Sequence, residues 1–368
     1  MSYYIGVMSG TSLDGIDIAL VQFSEADKFE FITAQTYPFT ESLRDSLQQL
    51  IVNQSCHLQE LGEVDIALGL LIGQSINQFL QSQQLSADRI SAIGSHGQTL
   101  FHSPNNALPF SLQIGNANVI AETTGITTVA DFRQRDIAAG GQGAPLVPAF
   151  HQSLFNSVSE DRVIVNIGGI SNITILPTAG LVSGFDTGPG NCLLDYWIQS
   201  HLKKPYDKSG RWAQSGQCNV QLLQHFLNEA YLKQTAPKST GRELFNQDWL
   251  ATKLAGFNQT LANEDIQATL TEFTAVTIAT DIIHYAPESR HIFICGGGAH
   301  NAYLLSRLQA KLSKHSISTT EAIGLHPDWV EGAAFAWLAY RRMTKQPANL
   351  PAVTGASHST MLGAVYSA

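Results

Sequence analysis

Gly10-Thr11-Ser12-Leu13-Asp14-Gly15 lies between the runs Tyr3-Tyr4-Ile5-Gly6-Val7-Met8 and Ile16-Asp17-Ile18-Ala19-Leu20-Val21-Gln22-Phe23. Both flanks are β-rich, and the join consists mostly of glycine, hydroxyl and aspartate residues, so the stretch predicts a β-hairpin. Its tip brings glycines, hydroxyls and backbone N–H groups together, which is the equipment of an anion-binding concavity. It is not a Walker A loop: the spacing from Gly10 to Gly15 fits, but Ile16-Asp17 stands where Lys-Ser/Thr is required. Taken alone, the turn could be purely structural.

The second half of the chain repeats the pattern. Arg162-Val163-Ile164-Val165-Asn166-Ile167 reads as a strand, Gly168-Gly169 as a turn and Ser171 to Leu176 as a second strand. Leu181 to Phe185 then leads into Asp186-Thr187-Gly188-Pro189-Gly190-Asn191. A third glycine turn, Gly296-Gly297-Gly298, follows the apolar strand His291 to Cys295 and precedes a helix expected over 301–312. Two strand–glycine–strand hairpins and a strand–GGG–helix unit predict two similar halves clasping one nucleotide. The first two turns would hold phosphates, and the third would bring bare backbone close to the adenosine, because glycine has no Cβ to obstruct it.

Composition narrows the choices. A chain of 368 residues is longer than one core usually supports, so two domains are expected. With 44% hydrophobic and 14% charged residues it reads as globular rather than disordered. The net charge of −9 comes without a basic patch, which argues against nucleic-acid binding. ATP would then need local N–H donors and a divalent cation, since the overall field repels it. Cys56, Cys192, Cys218 and Cys295 have neither CxxC nor Cys/His spacing, which reads as reduced thiols rather than a zinc site. No signal-like segment or bilayer-length apolar run is present, so a cytoplasmic protein is expected.

Helices are expected over 42–53, 65–83, 190–201, 271–285 and 328–343, with buried strands at 92–94 and 126–130. In the second helix, Ile66, Leu70, Gly73, Ile76, Asn77 and Leu80 are expected to share one stripe. The Gly/Pro-rich segment 136–148 reads as a domain crossover or a binding loop.

Several polar residues fall at strand ends, where open α/β sheets place ligands. Asp186 suits a general base and equally an N-cap or turn former. His96 could contact substrate or simply hydrogen-bond within its loop. Arg133 could clamp a carboxylate or pair with Asp131 or Asp136. Glu331 opens a helix, where an acidic residue is favoured electrostatically whatever else it does. Asp14 and Asp17 could hold magnesium through water or cap the turn.

Together these residues spell a family. Gly6 to Asp17, Gly94-Ser95-His96-Gly97-Gln98-Thr99, Asp131-Phe132-Arg133 and Gly140 to Pro148 resemble the anhydro-N-acetylmuramic acid kinases. So do Asn166 to Asn172, Phe185 to Asn191, Cys295 to Asn301 and Leu350 to Ala356, in order along essentially the whole chain. The resemblance implies an α/β, two-domain fold of the actin/hexokinase/Hsp70 class, with ribonuclease H-like cores and a nucleotide cleft between the domains. Domain I would comprise 1–133 with 344–368, and domain II 134–343. The implied reaction converts 1,6-anhydro-N-acetylmuramic acid, ATP and water to N-acetylmuramic acid 6-phosphate and ADP, in cell-wall recycling. Asp186 becomes the catalytic base. Gly10, Thr11, Ser12, Leu13, Asp14, Gly15, Ile16 and Asp17 form the first phosphate loop, Gly168 and Gly169 the second, and Gly296, Gly297, Gly298 and Asn301 the adenosine loop. Ser9, His96, Arg133 and Glu331 become sugar contacts. ATP with Mg²⁺ and a homodimer are implied, with no nucleic-acid or membrane partner. The competing readings are a conventional sugar or carboxylate kinase of the same class, and a non-catalytic ATP-driven clamp.

Overall fold

The computed structural model describes residues 2–10, 13, 15–24 and 28–368. The chain opens with β1 (Ser2–Ser9), β2 (Ile16–Phe23) and β3 (Phe29–Tyr37), then α1 (Glu41–Asn53) and α2 (Leu58–Ser82). Next come β4 (Ile90–Ser95), β5 (Gln98–Ser103), β6 (Phe110–Ile114), α3 (Ala117–Thr124), β7 (Thr128–Ala130), α4 (Phe132–Ala138) and α5 (Val147–Phe155). The second half runs β8 (Arg162–Ile167), β9 (Ile170–Leu176), β10 (Ser183–Pro189), α6 (Cys192–Leu202), α7 (Arg211–Ser215), α8 (Val220–Leu227) and α9 (Gln247–Ala255). It continues with α10 (Asn263–Tyr285), β11 (His291–Cys295), α11 (Ala302–Lys311) and β12 (Ser316–Thr319). The chain closes with α12 (Val330–Met343), α13 (Pro351–Thr354) and β13 (Ala364–Tyr366).

Two compact units result, one of residues 1–150 with 329–368 and the other of 151–328. Their sheets follow one plan. In the first, the strand order is β13-β7-β4-β1-β2-β3; in the second it is β10-β9-β8-β11-β12. Each holds a three-strand antiparallel meander, β1-β2-β3 or β8-β9-β10, whose first strand continues in parallel to β4 or β11. This is the order of a ribonuclease H-like sheet, and two such sheets in one chain make the fold of the actin/hexokinase/Hsp70 class.

The first sheet buries Ile5, Val7, Ile18 and Leu20 against Leu68, Ile72, Ile76 and Phe79 of α2. The expected stripe on α2 is therefore corrected in its first half, where Ile66 and Leu70 are each 42% exposed, while Gly73, Ile76 and Leu80 are buried as expected. The run 66–72 is apolar nearly all round, so periodicity alone could not choose between neighbouring stripes; the sheet selects the one through Val64, Leu68, Ile72 and Ile76. In the second unit, Val163, Val165, Ile173 and Ile292 pack with Ile278 and Ile282 of α10 and Leu304 and Leu308 of α11.

The expected domain limits also move. Helix α12 packs on β1 and β4, because its small residues Gly332, Ala333 and Ala336 let it lie directly on the glycines of those strands. The loop after α4 is likewise tied to the C-terminal segment. Buried Asp136 accepts from Asn349 Nδ2 and Thr354 Oγ1, both at 2.8 Å, and from the Gly143 N–H at 2.8 Å. Segments 134–150 and 329–343 thus belong to the first unit, and the Gly/Pro-rich loop is anchored within it.

Candidate functional site

The second unit carries Asp186 in the last strand of its meander, opposite Asn172, where the β9–β10 pairing slips between Asp186 and Gly188. Gly188 takes φ +143°, a conformation that favours glycine and lets the chain turn away towards α6. Asp186 is 8% exposed. Its Oδ2 accepts the Thr240 N–H at 3.0 Å, its own N–H donates to Lys238 O at 3.2 Å, and its carbonyl accepts the Tyr231 hydroxyl at 2.6 Å. Burial, and then the Asp186 charge, raises the Tyr231 phenol, so it remains a proton donor to that carbonyl. Lys238 is buried beside it, paired with Asp281 at 3.1 Å and lying over the Phe185 and Tyr231 rings. These partners come from residues 231–240, which sequence reasoning passed over. The polar run Pro237-Lys238-Ser239-Thr240-Gly241 was the available signal.

Gly168-Gly169 joins β8 to β9. The carbonyls of Gly168 and Gly169 accept from the N–H groups of Asn191 and Cys192 at the start of α6, at 2.8 and 3.1 Å. A Cβ at Gly190 would lie 2.3 Å from Gly168 O, so the close approach of the two turns requires glycine there. The third turn divides its labour. A Cβ at Gly296 would meet Asn166 Oδ1 at 2.3 Å and one at Gly298 would meet Ile167 Cγ2 at 2.4 Å, whereas at Gly297 nothing lies nearer than 3.9 Å. Gly296 and Gly298 serve packing, and Gly297 leaves open space. Asn301 caps α11, its Oδ1 accepting the Leu304 N–H at 3.0 Å.

Against Asn301 and the start of α11 lies another segment the sequence reading missed. Asp207 accepts the N–H groups of Trp212 and Ala213, both at 2.9 Å. Gly210, at φ +70°, sits where a Cβ would lie 2.3 Å from Asn301 Oδ1 and 2.6 Å from Tyr303 Cβ. Its signal was Asp207 and the glycines at 210 and 216, in a stretch without regular periodicity.

In the first unit the predicted hairpin is present, with Ser9 opposite Ile16. Of its tip, Gly10, Leu13 and Gly15 are described; Thr11, Ser12 and Asp14 lie outside the described residues. Ile16 is fully buried. Asp17 is tied across the sheet, its Oδ1 accepting the Thr36 hydroxyl at 2.6 Å. Among the described residues no group of three or more His, Cys, Asp or Glu could hold a metal ion.

At the end of β4, His96 is buried against Phe335 of α12, ring centroids 4.8 Å apart. Arg133, on α4, donates to His96 Nε2 from Nη2 at 2.9 Å and from Nε at 3.3 Å, and its Nη1 donates to Gly143 O at 2.8 Å. The buried Ser9 hydroxyl donates to Gln98 Oε1. A pocket of about 310 Å³ opens here, lined by Ser95, His96, Asn116, Asp131, Gln134 and Tyr366 among others. Burial holds the Asp131 carboxyl above its usual range. Glu331 lies in the first turn of α12. The first unit thus brings Ser9 and His96 to neighbouring strand ends, with Arg133 of α4 bonded to His96, while Asp186 and the second and third glycine turns belong to the second unit.

None of the four cysteines is in a disulfide, and burial pushes the Cys192 thiol up to about 12, which keeps it protonated. No helix among the described residues is long and apolar enough to cross a membrane.

The sequence from residue 2 to 368 matches the family described as Anhydro-N-acetylmuramic acid kinase. A protein of that name from Pasteurella multocida is 53% identical, over 99% of this chain and 96% of its own length. Its counterpart from Photobacterium profundum is 51% identical over 99% and 98%, and that from Shewanella oneidensis 51% identical over 100% and 99%.

Proposed function

From the premise that this chain belongs to the anhydro-N-acetylmuramic acid kinase family, we propose how its residues divide the work. The activity is that of an ATP-dependent kinase. It opens the 1,6-anhydro ring of 1,6-anhydro-N-acetylmuramic acid and phosphorylates O6, giving N-acetylmuramic acid 6-phosphate and ADP in peptidoglycan recycling. In the proposed division, Asp186 is the general base, the turns at 10–17 and 168–169 hold phosphates, and 296–298 with Asn301 approach the adenosine. The 207–216 segment forms a further wall of the adenosine site. Ser9, Arg133 and Glu331 serve the sugar. The observation that carries the base assignment is the grip on Asp186, a carboxylate held by the Thr240 N–H on a strand bulge beside the second glycine turn.

The chemistry demands one base with two consequences. The anhydro bridge joins C1 to O6, so O6 cannot attack phosphorus while it keeps its bond to C1. Asp186 takes a proton from water as that water attacks C1. The C1–O6 bond breaks, and O6 takes the γ-phosphoryl group as ADP leaves. General-base assistance of this kind contributes about 10²–10⁴ in rate.

Backbone donors at the glycine turns would offset charge on the transferring group. Magnesium would neutralise phosphate oxygens when bound. Asp14 or Asp17 would hold it through water. A cytoplasmic homodimer completes the proposal, supported by the family resemblance.

Oxygen labelling tests the reaction. In ¹⁸O-water, analysed before anomeric exchange, label is expected on O1 of the product and none in the phosphoryl group. Label in inorganic phosphate would indicate plain ATP hydrolysis, as a clamp would give. Efficient phosphorylation of free N-acetylmuramic acid would indicate a conventional kinase.

Gly297→Ala tests the adenosine loop. The open space around Gly297 accepts a methyl group in the protein alone, so the melting temperature without ligand should hold within about 2 °C. The methyl group would occupy the space left for the nucleotide, and calorimetry should show the ATP dissociation constant rising about tenfold, some 1.4 kcal/mol. Unchanged ATP affinity in the folded variant would remove Gly297 from the nucleotide site.

A further inference from the structure

The His96–Arg133 pair has a chemistry that contact with substrate alone does not explain. Nδ1 of His96 bonds to the Gly97 carbonyl at 2.8 Å, so that nitrogen carries the proton and donates. Nε2 is therefore the acceptor, and it takes a forked pair of N–H groups from Arg133 Nη2 and Nε. Both ring nitrogens are committed to the chain. His96 is 6% exposed, and its ring packs against Phe335. Burial, and then the adjacent guanidinium, lowers the imidazole to about 3, so it stays neutral at ordinary pH.

We propose that His96 is a positioning residue, which aims the Arg133 guanidinium at the anionic group of the sugar without touching the sugar itself. This rests on the reading of Arg133 as a sugar contact. The substrate carries a carboxylate on its lactyl arm, and a planar guanidinium recognises a carboxylate through a fixed fork of donors. A guanidinium on a flexible stem must be held in orientation to do so. A carboxylate in the place of His96 would hold it but would neutralise the charge and compete with the substrate. A neutral imidazole nitrogen orients the group and leaves its charge intact. The Gly143 carbonyl performs the same service on Nη1, and the Gly143 peptide is itself held by Asp136.

The test compares His96→Gln with His96→Met, side chains of similar length and volume that differ in whether they can accept a hydrogen bond. Gln can present an oxygen near the position of Nε2. His96→Met should raise the KM for the anhydrosugar about tenfold, the scale of a lost hydrogen bond to a charged group. It should leave kcat within about threefold and the KM for ATP unchanged, and His96→Gln should recover most of the loss. Arg133→Gln should raise the same KM by more, and adding His96→Met to it should cost little extra, because His96 then has nothing to aim.

If Arg133→Gln raises KM but the His96→Met effect adds in full, His96 acts on the sugar directly and the proposal fails. If His96→Gln is as impaired as His96→Met while both melt like the wild type, acceptance by Nε2 is not the function and the proposal again fails. If Arg133→Gln leaves the sugar KM unchanged, the reading of Arg133 itself falls, and the proposal with it. Should His96→Met not fold, a KM for His96→Gln within about threefold of wild type supports the proposal, and a tenfold rise overturns it.

Discussion

Asp186→Asn is expected to fold, to bind ATP with near-normal affinity, and to lose turnover by about 10²-fold or more. The substitution preserves shape and an acceptor oxygen. The Asn carbonyl can take the Thr240 N–H that now goes to Oδ2, and the backbone bonds to Lys238 and Tyr231 do not involve the side chain. What is lost is the capacity to take a proton from water at neutral pH. A hundredfold loss corresponds to about 2.7 kcal/mol of barrier, well above the few tenths expected from a small shift in packing. The measurement pairs kcat, from ADP release with the anhydrosugar, with ATP affinity and melting temperature. Tyr231→Phe is the control, because it removes the 2.6 Å bond to the Asp186 carbonyl while leaving the carboxylate. It should cost about 1 kcal/mol of stability and far less turnover. Near-normal kcat in a folded, ATP-binding Asp186→Asn would leave the aspartate a turn former and nothing more.

Much of the architecture was legible because the chemistry of its turns is local. Glycine and hydroxyl residues between β-branched runs specify hairpins within a dozen residues, and β1–β2 and β8–β9 form where those signals stand. Helix α10 was less legible. It begins at Asn263 rather than 271, since its threonines are poor helix formers by propensity and are accommodated only by burial and by hydroxyl bonds back to earlier carbonyls, such as Thr271 to Gln267 O at 3.0 Å. The edge strand β13, three residues long, exists by pairing with β7, a partner more than 200 residues distant in sequence, and no local pattern announces it.

The site divides in the same way. Asp186 stood out because a lone carboxylate after an apolar strand and before Gly-Pro-Gly is unusual. Tyr231, Lys238 and Thr240 did not, because they act on Asp186 through backbone atoms or from behind it, across some 45–54 residues of chain. His96 was visible as a residue, but its bonding was not. The proposed positioning role rests on its bonds to Gly97 and Arg133, which no sequence pattern shows.

Substitution of Gly94 or Gly6 by alanine should have the largest effect on stability. The two glycines are register partners on β4 and β1, and α12 crosses them with its backbone almost in contact. A Cβ at Gly6 would lie 1.8 Å from Gly332 O and 2.5 Å from Ala336 N; one at Gly94 would lie 2.0 Å from Phe335 O. These obstacles are backbone atoms, so no rotamer change can clear them, and the helix must lift off the sheet. Lifting it would open gaps around Ala333, Ala336 and Ala339, all fully buried, and loosen the stack of Tyr340 on Phe23, whose centroids are 4.0 Å apart. Overpacking of this kind typically costs 1–3 kcal/mol, and a helix-wide displacement belongs at or above the top of that range, about 3 kcal/mol or more. Against a typical total of about 5–15 kcal/mol, either variant should melt many degrees lower or fail to accumulate as folded protein. Gly62→Ala on α2 is the matched control. Nothing lies within 4 Å of a Cβ there, and alanine in an exposed helix should be neutral or stabilising by up to about 1 kcal/mol. Thermal melts decide the matter: Gly94→Ala within 2 °C of the wild type would mean that α12 does not rest on those glycines. In the proposed division of work the contact also bears on activity. Glu331 precedes Gly332 on the same helix, so the glycine seat that lets α12 lie on the sheet also sets where that carboxylate stands.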